Sequence, residues 1–300
     1  MVSESLTTRH TNKPNAKETD MNTSFIRRIA AAGLALALGA TAAFADPAII
    51  AVGQEGRGYE AFGKQMVQRL GDRLPSEIVN YEGSDDISRA VCDGDADMGI
   101  MQIDAIYARS LEGCNLRVVG TYGTEYAYLL FPPDGGSDLG DLGENKKILV
   151  DTIGSGTDLF WHTAVSIETG EHGNKSSWSK TTPVNDPIFI AQTLADMGEI
   201  DAALMVTTPT STELKELIDA GWTLGKLKDK DIDDQQFNGS SLYPREDAEV
   251  AGTGGFFSGN DSNKSYAIRS FVVISEELMK DRRAFADVAR AVKTLSAATN

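Results

Sequence analysis

Histidine, cysteine and positive charge are all scarce in this chain: three His, two Cys, and a formal net charge of −16 over 300 residues. His162 and His172 stand ten positions apart with no Cys or further His at ligand spacing, so no metal site is expected. There is no G-x-S-x-G elbow, and neither Cys sits in a recognisable Cys/His/Asp arrangement, so no catalytic nucleophile is expected. Paired carboxylates such as Asp85 and Asp86 fall at a helix start, where anions are favoured anyway. No cofactor signature is present either. Gly53-Gln54-Glu55-Gly56-Arg57-Gly58-Tyr59 is glycine-rich, but Gly63 falls too late for G-x-G-x-x-G, and the Gly-Lys-Ser/Thr ending of a P-loop is missing. The acidity excludes nucleic acid and anionic lipid as partners, although a local Arg or a helix N-terminus can still hold an anion inside a cleft.

Long hydrophobic runs are missing beyond the first 45 residues. Residues 1–20 are polar and read as an upstream extension, with Met21 as an alternative start. Met21 to Ala45 has the three zones of a signal peptide: Arg27 and Arg28, the apolar run Ile29 to Ala40, and a small-x-small site at Ala43-Phe44-Ala45. Cleavage after Ala45 and a periplasmic location are expected; a retained anchor is the alternative. The leader holds five basic and three acidic residues, so the remaining 255 carry about −18. The acidic run Asp229 to Asp234 reads as solvated surface. Both cysteines, Cys92 and Cys114, lie in the mature part, and an even count in an exported protein favours a disulfide over two buried thiols.

What remains is an alternation of strand and helix. Ile49 to Gly53 reads as a buried strand and Tyr59 to Leu74 as an amphipathic helix carrying Phe62, Met66, Val67 and Leu70 on one face. A strand at 78–81 leads through Gly83-Ser84 into a helix with Ile87, Ala90 and Val91 inward. Asp93-Gly94-Asp95 precedes the buried strand Met98 to Met101, which ends on Gln102. Leu116 to Tyr122 and Tyr126 to Phe131 read as two strands. Pro132-Pro133-Asp134-Gly135-Gly136 is the expected domain crossing. Beyond it come strand Ile148 to Asp151, the turn Gly154-Ser155-Gly156-Thr157, a helix to Thr169, strand Trp178 to Thr182, and a helix from Pro187 to Met197. Strand Asp201 to Val206 and helix Ser211 to Ala220 follow. Gly239 to Asn263 reads as loop, Tyr266 to Ile274 as a strand and Asp281 to Leu295 as a helix.

The two halves repeat one layout, a strand running into a Gly/Ser turn at a helix start. The expected class is therefore α/β, with two lobes: 46–132 plus about 265–300, and 133–264. Open α/β sheets bind ligands at the carboxyl ends of their strands, so the ligand-binding candidates come from those ends. In the first lobe they are Gly56, Arg57 and Tyr59, with Ser84 and Gln102. In the second they are Gly154, Ser155, Gly156, Thr157 and Thr207. Arg57 is the charge partner for a carboxylate, with Arg89 and Arg269 as rivals that suit ordinary ion pairs. Gln102 can both donate and accept. Ser155 or Thr157 serves equally as a plain N-cap, and Asp104 reads as a helix cap. Tyr81 and Tyr126 are further candidates for the cleft wall.

These residues resemble the TAXI group of solute-binding proteins, which serve TRAP (tripartite ATP-independent periplasmic) secondary transporters. Gly83-Ser84 with Ile87, Gly94-Asp95-Ala96-Asp97-Met98 and Gln102-Ile103-Asp104-Ala105-Ile106-Tyr107 look like the family's G-S-x-x-N-[IL], G-x-A-D-[LM] and Q-x-D-x-x-Y. Leu139 to Gly143 followed by Gly154-Ser155-Gly156-Thr157 looks like D-L-x-G-K…G-S-G-T, and Gly198 to Ala202 like G-x-I-D-A. The resemblance runs from about Ile49 to Ala289. It implies a type II periplasmic-binding-protein fold with a hinge and a cleft. It further implies a small organic acid or amino acid as ligand, and a TRAP membrane component of fused small and large subunits as partner. An ABC importer, a membrane sensor or an enzyme on the same fold is the alternative; a monomer is expected. The sequence departs from the family at Glu60, where a second Tyr is usual, at Asp86 for Asn, and at Glu144-Asn145-Lys146 for G-K.

Overall fold

The computed structural model describes residues 46–254 and 259–299; the expected leader over 1–45 lies outside them. The chain runs β1 (Ala48–Val52), α1 (Gly58–Leu70), β2 (Ser76–Asn80), α2 (Ser84–Asp93), β3 (Met98–Gln102), α3 (Ile103–Leu111) and the long β4 (Arg117–Phe131). It continues through β5 (Lys147–Leu149), α4 (Gly156–Thr169), β6 (Thr182–Val184), α5 (Ala191–Asp196), β7 (Ala202–Thr207), α6 (Thr212–Asp219) and β8 (Thr223–Gly225). It closes with α7 (Lys230–Asp234), β9 (Gln236–Phe237), β10 (Ser240–Ser241), β11 (Arg245–Glu249), β12 (Ser262–Ile274), α8 (Glu276–Lys280) and α9 (Arg282–Thr299).

Local sequence accounts for most of these elements. Phe62, Met66 and Leu70 recur every four residues and bury one face of α1. Ile87, Ala90 and Val91 do the same for α2, which stops at Gly94 with φ 84°, a left-handed turn that costs glycine little. Met98 to Gln102 is buried on both faces, as a central strand requires.

The main sheet has the order β2-β1-β3-β12-β4-β7-β5-β6. On one flank β1 is parallel to β2 and β3; on the other β5 is parallel to β6 and β7. Between them β12 and β4 run antiparallel to each other and to their outer neighbours. The fold is thus the expected two-lobed α/β arrangement, with two parallel wings joined through two long strands.

Four hydrophobic clusters show where the strands pass from wing to wing. Ile50, Phe62, Met66, Met98, Val272, Val288 and Leu295 share one core, and Ala51, Ile87, Met101 and Val273 another. Ala127, Leu129 and Phe131 pack instead with Ile148, Phe160, Leu204, Tyr266 and Ile268, while Tyr128 and Leu130 pack with Leu149, Met205 and Trp222. The last turns of the chain therefore return to the first wing.

Four details differ from expectation. Leu116 to Tyr122 and Tyr126 to Phe131 are one continuous strand, because Gly123-Thr124-Glu125 stays extended and pairs in register with Ser270, Arg269 and Ile268 of β12, the register shifts falling at Tyr122 and Val119 instead. Ser177–Lys180 is a single helical turn, with strand pairing beginning only at Thr182. Residues 239–263 include β10 and β11; Arg245 to Glu249 pairs along β12 as an edge strand whose charged side chains hide the usual alternation. The acidic run at 229–234 is not all surface, since Asp229 is buried and Trp178 Nε1 donates to it at 3.0 Å. As expected, Cys92 and Cys114 are bonded, tying the end of α2 to the segment after α3. Among the described residues no helix is long and apolar enough to cross a membrane.

Candidate functional site

The two wings use the same local device. In the first, Ser84 opens α2 and its Oγ accepts the backbone N–H of Gln102, the last residue of β3, at 3.1 Å. In the second, Thr157 in the first turn of α4 accepts the N–H of Val206 near the end of β7 at 2.9 Å. Each hydroxyl pins a helix start beside a strand end. Ser155 caps α4 by accepting from the Asp158 N–H at 3.1 Å. These three side chains therefore have structural partners, and what they present to a cleft is the backbone N–H groups of the two helix starts.

Those helix starts meet. A Cβ on Gly83 would fall 2.1 Å from the Gly154 carbonyl oxygen, and one on Gly156 would fall 2.3 Å from Gln102 Nε2. Both glycines keep ordinary backbone conformations, so it is space that excludes a side chain. Gln102 is buried; its Nε2 donates to Glu125 Oε2 at 3.1 Å, and its Oε1 has no hydrogen-bond partner.

Glu125 is the centre of the constellation. It lies on β4 where that strand passes between the wings, opposite Ile268 of β12. Its Oε2 also faces Tyr59 Oη at 3.3 Å and Ser270 Oγ at 3.4 Å, and those two hydroxyls bond each other at 2.8 Å. Among the described residues no Lys, Arg or His forms an ion pair with it. Burial raises the Glu125 pKa, and the donors from Gln102, Tyr59 and Ser270 only partly oppose this. Burial, and then the neighbouring Glu125 charge, hold the Tyr59 phenol well above its usual range.

Asp104 stands close by but is not the expected helix cap. It is fully buried on α3, where Tyr243 donates to its Oδ2 at 3.2 Å and the Ala105 N–H to its Oδ1 at 3.0 Å. Burial dominates and raises its pKa to about 7. At the rim, a cavity of about 280 Å³ opens between Asp85 and Asp86 on one side and Ile153, Gly154, Asp158, Leu159 and His162 on the other. His162 pairs with Asp158 at 3.2 Å, and that contact raises the imidazole pKa.

The expected residues divide accordingly. Tyr59, Ser84 and Gln102 converge with Gly156, and Gly154 packs on Gly83. Thr207 is half-buried at the end of β7, opposite Tyr126. Gly56 lies outside the constellation, its N–H held by Glu60 at 2.9 Å, and Glu60 in turn pairs with Lys64 at 2.7 Å. Arg57 is two-thirds exposed and reaches Glu213 of α6 at 3.5 Å, bridging the wings at their edge. Arg89 and Arg269 make ordinary ion pairs with Asp85 and Glu246. Tyr126 bonds Glu246 at 3.3 Å. Glu125, Ser270 and Tyr243 were not foreseen. For Glu125 a signal existed: it is the lone charged residue in the run Tyr122 to Phe131.

A scan against protein-family models finds no match, and a search of curated proteins finds none. Among solved structures, the alkanesulfonate-binding protein SsuA from Xanthomonas axonopodis pv. citri, bound to MOPS, is 17% identical over 85% of this chain and 80% of its own, with a TM-score of 0.47. YhfZ from Shigella flexneri is 14% identical over 84% and 89%, with a TM-score of 0.48. The amino acid ABC transporter substrate-binding protein AbpA from Streptococcus pneumoniae, bound to L-arginine, is 15% identical over 84% and 90%, at 0.46.

Proposed function

We propose that this protein is a periplasmic solute-binding protein that closes on a small solute carrying both a carboxylate and a strong hydrogen-bond donor, such as an amino acid or a hydroxy acid. One observation carries the reading. Gln102 and Tyr59 from one wing, Gly156 from the other, and Glu125 and Ser270 on the two strands between them meet at a single point. Glu125 and Gln102 Oε1 supply acceptors without a cation, which suits an ammonium or hydroxyl group. The opposed N-termini of α2 and α4 supply amide donors and favourable dipoles, which suit the carboxylate. The exposed Arg57 serves as a latch to Glu213 rather than as the ligand's charge partner.

Entry requires the wings to part, since Gly83 and Gly154 leave no space between them. On this reading the long strands β4 and β12 serve as the hinge between the wings. Ligand favours closure by contacts absent from the open form. Among the described residues no Cys, His or Lys bonds Glu125, Tyr59 or Ser270, so binding rather than turnover is the role proposed. Delivery to a TRAP-type membrane component rests on the motif resemblance; an ATP-driven importer of the kind named for AbpA is the second reading.

A thermal-shift panel of amino acids, hydroxy acids, dicarboxylates and sulfonates tests the binding role. One strong stabiliser is expected, adding about 2.7 kcal/mol at a hundredfold excess over Kd. Folded protein with no stabiliser, or a stabiliser that is consumed, overturns it. Uptake in vesicles carrying either transporter type separates the two partners.

A further inference from the structure

Away from the cleft, at the far end of α4, three carboxylates converge. Glu168 lies near the end of α4 and is completely buried. Its Oε1 accepts the Ser176 N–H, but its Oε2, sealed from solvent, has no hydrogen-bond partner. Asp229 and Asp231 come from the start of α7, and one oxygen from each of the three residues lies within 4.8 Å of the others. Among the described residues none of the three forms a salt bridge. Lys175, whose backbone N–H donates to the Glu168 carbonyl at 3.1 Å, forms no ion pair with them, while Lys230 pairs with Asp234 at 3.7 Å and Arg245 with Asp233 at 3.8 Å.

Each carboxylate is held in place. Asp229 Oδ2 takes Trp178 Nε1 at 3.0 Å, and its Oδ1 takes the Asp231 and Ile232 N–H groups at 2.8 and 3.3 Å. Asp231 takes the Asn174 backbone N–H at 2.6 Å and its side-chain amide at 2.9 Å. Tyr266 Oη fixes the Asp229 backbone from both sides, accepting from its N–H at 2.8 Å and donating to its carbonyl at 3.0 Å. Three positioned carboxylates at such spacing repel one another strongly in a partly dry setting, and an unpartnered buried oxygen adds a desolvation cost. A hard cation removes both penalties at once.

We propose that Glu168, Asp229 and Asp231 form a binding site for calcium, which fastens the segment after α4 to the start of α7. An all-oxygen donor set argues against zinc and copper. Oxygens 2.3–2.6 Å from a common calcium ion lie at most about 5 Å apart, so the observed grouping needs little adjustment. Three carboxylates fixed at the ends of two helices make an irregular donor set, which suits calcium better than magnesium with its near-octahedral demand. Water completes the coordination.

Trp178 provides a direct readout. After chelation and desalting, terbium titrated into the protein should give luminescence on tryptophan excitation, and calcium should quench it competitively. Calcium should raise the Tm by roughly 5–10 °C at a hundredfold excess over Kd, with magnesium much weaker. Asp231→Asn, the least buried change, should weaken calcium binding at least tenfold by calorimetry while leaving the calcium-free Tm unchanged or higher. The absence of sensitised terbium emission, together with a Tm indifferent to millimolar calcium, overturns the site; so does calcium binding that Asp231→Asn and Glu168→Gln leave intact. The measurements use no cleft ligand, so they stand or fall independently of the transport role.

Discussion

Gly83 and Gly154 touch through their backbones: a side chain on the first would place Cβ 2.1 Å from the carbonyl oxygen of the second. Backbone atoms cannot swing aside as a flexible side-chain end can. The contact joins the start of α2 to the turn before α4, so it reports directly on closure of the wings.

Gly83→Ala is therefore expected to hold the protein open. The residue is extended, with φ −173°, and alanine fits that conformation without strain. Exchanging Gly for Ala at a helix N-cap costs about 1 kcal/mol or less, so folding should survive. Affinity for the stabilising solute should fall at least tenfold, and small-angle scattering should show a larger radius of gyration with ligand present than for the wild type. Unchanged affinity and an unchanged radius would mean that the bound form does not use this contact.

Glu125→Gln separates charge from shape. The amide keeps the volume and can still accept from Gln102 and Tyr59, but it cannot pair with an ammonium group. Binding of an amine-bearing solute should weaken about a hundredfold, and binding of a solute with only a hydroxyl much less. Without ligand the variant should be as stable as the wild type or more so near pH 8, because a half-buried carboxylate with no ion-pair partner is costly. Calorimetry with matched amino and hydroxy acids reads the first effect and urea titration the second. Equal losses for both solutes would remove Glu125 from the role of ammonium acceptor.

Much of this architecture is readable from the chain because its cause is local. The period of Phe62, Met66 and Leu70 marks α1, and the uniform apolarity of Met98 to Met101 marks a buried strand. Gly-Ser and Gly-Ser-Gly-Thr mark the helix starts that turn out to meet. Gln102 was found because it ends a strand. The rest depends on register. Glu125 acquires its neighbours only because β4 crosses between the wings unbroken and pairs with β12, which brings Ser270 within reach. Gly123-Thr124-Glu125 looks like a break and hid that continuity. Asp104 has the composition of a cap, yet Tyr243, 139 residues further along the chain, buries it. Glu168 and Asp229 are likewise far apart in sequence, and nothing local announces their meeting.

The bond between Cys92 and Cys114 joins two elements that flank the cleft wall, across a sequence separation of 22. A loop of that size is worth about 3 kcal/mol in the chain-entropy model. The double variant Cys92→Ser/Cys114→Ser should lose about this much in urea titration, with a lower midpoint and a similar slope. Gln102 is held by strand pairing with Ser270 and by Glu125 rather than by the bond, so ligand affinity of the folded fraction should change less than threefold. A midpoint equal to that of the wild type would show that packing of α2 and α3 alone sets their stability.

Asp104 makes stability depend on pH in a direction opposite to that of a paired surface carboxylate. Burial raises its pKa to about 7 in the folded protein, against about 3.9 in an unfolded chain. Between these values the folded state holds a proton that the unfolded state has released, so stability falls as pH rises. The contribution is fully present below about pH 4 and is lost as pH passes through about 7, with no further change above. Asp104→Asn supplies a neutral side chain of the same shape at every pH. The difference in unfolding free energy between variant and wild type should therefore move in the variant's favour from pH 4 to pH 7 and then level off. Urea titrations at pH 4.5, 6, 7 and 8 measure it. Because Tyr243 and Asp104 sit on segments from opposite wings, the same series should show ligand affinity weakening above pH 7 in the wild type and staying level in Asp104→Asn. Parallel profiles for the two proteins would rule out Asp104 as the titrating group.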